Sequence, residues 1–111
     1  MISNIILTTT PNIPGYSIKG VIGIVYGTSI RTRGTLGRFI ASLETIVGGR
    51  GKAYLQELEK ARDEALEEIR VKALKMGANA VVAIDFETSE ILEGFIVVTA
   101  YGTAVYVEKE F

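Results

Sequence analysis

The feature that most constrains the fold of this chain is a long apolar stripe at helical spacing, from about Lys52 to Met76. Tyr54, Leu58, Ala61, Ala65, Ile69, Ala73 and Met76 recur every three or four residues, which places them on one side of a helix. Leu55, Leu66 and Leu74 widen the stripe, so this helix is expected to touch two surfaces. Glu68 and Lys72 form an i,i+4 pair on its polar side. Gly77 supplies the residue that ends it. A helix this long needs a sheet or another helix to lie on, because packing of the apolar face supplies most of its stability.

The flanking sequence provides both. Ile5 to about Thr9 predicts a short strand, punctuated by Pro11 and Pro14-Gly15. "YSIKGVIGIVYG" predicts a long strand with a bulge near Gly20, where the alternation slips. From Thr35 the period changes, and Leu36, Phe39, Ile40, Leu43, Ile46 and Val47 predict a first helix, capped by Thr35 and ended by Gly48-Gly49. After Gly77, "ANAVVAIDFETSE" and "FIVVTAYGTAVYVEKE" predict two strands, the second kinked at Gly102. The short link "SEILEG" makes them antiparallel neighbours. The expected fold class is α+β with two layers. It has an antiparallel sheet of about four strands, in chain order β-β-α-α-β-β, and two helices on one face.

The chain has 111 residues, which fits a single domain spanning 1–111. Hydrophobic residues make up 48%, with mean hydropathy +0.30. A domain of this size buries only part of its surface, so an apolar surplus points to subunit contacts and a homo-oligomer. No stretch resembles a signal peptide, and no apolar run reaches the roughly 20 residues of a membrane helix. A soluble, cytoplasmic protein that does not contact membrane is expected.

Cysteine and histidine are both absent. That removes disulfides, thiolate zinc sites, cysteine nucleophiles and the conventional catalytic triad. An enzyme built from this chain would need carboxylate, lysine or tyrosine chemistry, or a bound cofactor, so a binding role is expected ahead of an enzymatic one. Net charge is -1, with bases in the majority up to Lys52 and acids in the majority after it. A net-acidic chain is poorly suited to nucleic acid, while the asymmetry suits contact between copies.

Three stretches carry candidate chemistry. "TIVGGRGKAY", Thr45 to Tyr54, has glycines, Arg50 and Lys52 before a helix start, as phosphate-binding loops do. It lacks the Walker spacing, a hydroxyl after the lysine (Ala53 stands there) and a preceding strand, so a helix–helix joint is the plainer reading. "SIRTRGTLGRF" places Arg31, Arg33 and Arg38 around a helix N-terminus. Their guanidinium forks suit a carboxylate or phosphate, or the acids of a neighbouring subunit. In "DFETSEILEG", Asp85 and Glu87 are two apart and share one face of a strand. With Glu90 or Glu93 they could ligate a hard divalent cation as cofactor; the pair could also serve in acid–base chemistry, or remain a solvated strand end. The five tyrosines suit core and interface positions.

The blocks "LTTTPNIPGYSIKGVIGIVYG", "IVGGRGKAYLQELEKARDEAL", "MGANAVVAIDFET" and "GTAVYVE" resemble the YbjQ family, whose members carry a heavy-metal-binding label. The resemblance runs through nearly the whole chain in the same order. It implies a small α+β subunit in a homopentameric ring, with two rings able to stack, and no established enzymatic activity. The expectation is a ring-forming binding or scaffold protein of unknown biochemical function. Its anion or small-ligand site would use Arg31, Arg33, Arg38, Arg50 and Lys52 at subunit boundaries. Carboxylate metal binding and an enzyme of unknown reaction are the alternatives.

Overall fold

A computed structural model describes residues 5–32, 50–90 and 95–110. Four strands and one helix lie among them: β1 (Ile6–Leu7), β2 (Tyr16–Thr32), α1 (Arg50–Met76), β3 (Ala80–Glu90) and β4 (Phe95–Lys109). The helix expected from Thr35 falls outside the described residues, as do the Gly48-Gly49 joint and residues 91–94 of the link.

The strands form one sheet in the order β1-β3-β4-β2. β4 is antiparallel to both β2 and β3, as the short link after β3 required. β1 is parallel to β3, pairing Ile6 with Ala80 and Leu7 with Val81. This corrects the expected antiparallel sheet with two helices. The sheet is mixed, and the described order is β-β-α-β-β with a single helix. The cause lies in the segment after β1. Its two prolines cannot donate to a ladder, and Ile13 is buried with Ala80, Val82, Val105 and Val107 on the sheet face away from α1. Instead of turning back as a hairpin, the chain crosses that face and starts β2 on the opposite edge.

The other face carries α1. Ala61, Ala65, Ile69 and Ala73 of the predicted stripe are fully buried. Ala65, Ile69 and Ala73 meet Val25, Val81, Ile84, Ala100 and Ala104 in the main core. Small side chains on the stripe let the helix lie close to the strands. At Gly27 the approach is closest, since a Cβ there would lie 1.9 Å from the Ala65 carbonyl oxygen. Met76 and Leu55, which the periodicity puts on the stripe or its margin, are 39% and 60% exposed.

Register shifts interrupt β2 between Ile18 and Gly20 and again between Val21 and Gly23. The slip in alternation at Gly20 marks the first of these. The kink expected at Gly102 belongs to the opposing strand, where the β3 register jumps between Val82 and Asp85 and Ala83 takes φ 56°. Gly102 accommodates that bulge, because a Cβ on it would come within 2.9 Å of Ile84 Cγ1 and Val81 Cγ1. The outward amides of the bulge are satisfied from the segment after β1: Ala83 donates to Thr10 O at 2.9 Å, and Ile84 to Thr8 O at 3.1 Å.

Candidate functional site

Polar side chains on the helix-facing side of β2 meet acids of α1. Alternation along the strand puts Ser29 and Arg31 on the same face as Gly27. Arg31 Nη2 lies 3.1 Å from Glu64 Oε1, and its Nε lies 3.3 Å from Glu57 Oε1 without hydrogen-bond alignment. Glu57 is buried, at 8% exposure. Ser29 Oγ donates to Glu64 Oε1 at 2.6 Å. One turn further on, Glu68 accepts the Thr28 amide at 2.6 Å and stands 3.7 Å from Lys72 Nζ, in the i,i+4 pair read from the sequence. Glu67 and Arg70 pair on the outer side of the helix. α1 therefore runs antiparallel to β2, with its first half beside Arg31 and its last turn beside Ile24.

The Ser29 hydroxyl, and then Arg31, hold the Glu64 carboxyl below its ordinary value of 4.5. A carboxylate whose pKa is depressed by folding adds stability above its unfolded pKa. That stability is lost as pH falls through the folded value. Glu64 is mostly solvent-exposed, so the contribution is at most about 1 kcal/mol. Urea titrations should show Glu64→Gln less stable than the parent at pH 7, with the gap narrowing as the pH falls below 4.5.

The predicted anion-site residues divide. Arg31 is placed, and the acids beside it come from α1 of its own chain. Arg33 and Arg38 lie outside the described residues. Arg50 opens α1, but its side chain and that of Lys52 are also outside them. The sequence reading missed Glu57, Glu64 and Glu68 as partners of β2. Their spacing of seven and four residues on one side of a helix was the available signal.

Asp85 and Glu87 are exposed on β3 and point to the sheet face away from α1, where their rows continue through Tyr101 and Thr99 of β4. Asp85 Oδ1 accepts the neighbouring Phe86 amide at 2.8 Å. Glu90 ends β3 with its side chain outside the described residues, and Glu93 lies outside them altogether. Among the described residues no three acids converge as a metal site. Heavy, soft metals favour thiolate and imidazole ligands, and the sequence contains neither. The described residues do not fit a heavy-metal centre.

Concavities also lie among the described residues. A cleft of about 750 Å³ is lined by Thr10, Asn12, Tyr16, Ser17 and Glu110, among others. A groove of about 300 Å³ runs between β2 and the end of α1, with Ile24 and Tyr26 on one wall and Lys72, Lys75 and Met76 on the other. No helix among the described residues is long and apolar enough to cross a membrane.

A family model described as "Putative heavy-metal-binding" matches residues 5–108. A UPF0145 protein of Methanocella arvoryzae is 44% identical over 99% of this chain and 92% of its own length. A UPF0145 protein of Bradyrhizobium is 43% identical over 95% of each chain. A crystal structure of a protein of unknown function from Pediococcus pentosaceus, of the DUF74 family, shares the fold. Its TM-score is 0.63 at 20% identity, covering 96% of this chain and all of that one. With the family model matched over almost its whole length and relatives above 40% identity, the chain belongs to the YbjQ family, also named UPF0145.

Proposed function

We propose that this protein is a homo-oligomeric binding or scaffold protein. The observation that carries the reading is the amount of large apolar surface left exposed by so small a domain. Val21 is 72% exposed, Ile24 64%, Leu55 60%, Ile30 56% and Tyr26 54%. Isolated apolar side chains on a surface are ordinary, but a run of them along one strand suits burial against protein. The family resemblance supports a ring of five. The finer proposal is an anion site at the subunit boundary, built from Arg31, Arg33, Arg38, Arg50 and Lys52.

Native mass spectrometry tests the assembly. A five-fold multiple of the 12.0 kDa chain mass is expected, and a monomer at micromolar concentration would overturn the reading. Thermal denaturation with inorganic phosphate tests the site. Phosphate should raise the melting temperature of the parent, and Arg38→Ala with Arg50→Ala should abolish the rise while leaving the mass of the assembly unchanged. Loss of the assembly in that variant would make these arginines structural.

A further inference from the structure

We propose that β2 is a self-complementary docking strand: its free edge pairs antiparallel with β2 of a second copy, about a two-fold axis near Thr28. Among the described residues β2 borders only β4, and no strand among them lies on its other edge, where Glu68 takes the Thr28 amide. Edge strands are usually protected by short length, proline or charge. β2 has 17 residues and no proline, and Lys19 is its single charged residue before Arg31. From Gly23 to Thr32 its register on β4 is uninterrupted, so this half of the edge is straight.

The backbone groups face the right way. In an antiparallel ladder, alternate residues turn both N–H and C=O away from their partner strand. Thr28 turns outward, because its amide is taken by Glu68 rather than by β4. Tyr26 and Ile30, two residues to either side, therefore turn outward as well. A two-fold at Thr28 places Thr28 opposite its own copy and Tyr26 opposite Ile30 of the second copy. Both of these apolar side chains are more than half exposed on the face away from α1.

Charge on the helix side fits the same arrangement. Residues 57–68 of α1 hold six acids against Lys60 and Arg62, while Arg70, Lys72 and Lys75 follow with no acid among them. Because α1 runs antiparallel to β2, Lys72 and Lys75 lie level with Ile24 and Tyr26, and Glu57 and Glu64 level with Arg31. The two-fold brings the basic end of one helix level with the acidic half of the other. Lys72 and Lys75 then face the acidic half of the other helix on either side of the axis, while the two Glu68 carboxylates meet near it, next to Lys72 of each chain. Glu68 holds the central amide in the unpaired chain, and the Thr28 carbonyl of the second copy takes its place. This contact rests on the homo-oligomer reading and uses the same exposed β2 side chains; native mass reports whether copies assemble, and a crosslink reports whether β2 is where they meet.

The absence of native cysteine allows a direct test. Paired residues of antiparallel strands have Cα atoms about 5.5 Å apart, within disulfide reach. On mild oxidation, Thr28→Cys should give a disulfide-linked dimer as its main product. Glu87→Cys, exposed on β3, should stay unlinked. If Thr28→Cys links only when mixed with Thr88→Cys, β2 pairs with β3 and the proposal fails. It fails too if Glu87→Cys links equally well. In the unmodified chain, hydrogen exchange at Tyr26 and Ile30 should slow about tenfold or more as concentration rises through assembly. Exchange independent of concentration would overturn the proposal without any substitution.

Discussion

Gly27→Ala is expected to destabilise the protein by about 3 kcal/mol or more, measured as a fall in urea midpoint. The added Cβ would lie 1.9 Å from Ala65 O, 2.9 Å from Ala65 C and 3.1 Å from Ile69 Cγ1. Two of these atoms belong to helix backbone, which cannot rotate aside as a side-chain tip can. Relief requires α1 to lift from the sheet, which opens the seam where Ala61, Ala65, Ile69 and Ala73 are fully buried. Gly20→Ala is the matched control on the same strand. Nothing lies within 4 Å of the position its methyl would take, and its φ is not in the left-handed region. It should stay within about 0.5 kcal/mol of the parent. Equal effects at the two glycines would show that α1 is not seated on β2 at Gly27.

The contrast between these glycines shows what periodicity conveys and what it leaves out. The stripe on α1 is legible because one helix face repeats locally, and Gly77, at φ 92°, ends the helix where expected. The slip at Gly20 is legible because a bulge disturbs alternation within its own strand. Gly27 gives no local signal, since its constraint comes from a helix some forty residues away. β1 is harder still. It has two residues and pairs with β3 across more than seventy positions, so no local pattern distinguishes parallel from antiparallel pairing. The kink expected at Gly102 is misplaced by one strand for the same reason: the glycine accommodates a distortion whose backbone origin is Ala83. At the site, Arg31 stands out as a cation, but its partners depend on the direction in which α1 lies along β2.

That direction makes the second large effect specific. Arg31→Met is expected to destabilise the protein by about 2–4 kcal/mol, because it leaves the buried Glu57 without its cation. Desolvating a charge is tolerated only where a counter-charge is close, and Arg31 lies beside both Glu57 and Glu64. Replacing the pair together, as Arg31→Met with Glu57→Leu, should recover most of the loss, since neither charge is then stranded in the interface between β2 and α1. Urea denaturation of the two single variants and the double variant gives the coupling directly. Additive effects would mean that Arg31 and Glu57 stabilise the fold independently. The double variant also separates structure from binding at Arg31. If it is as stable as the parent and keeps the phosphate-induced rise in melting temperature, Arg31 serves the packing of α1 on β2. If stability returns without the rise, the same guanidinium contributes to the anion site.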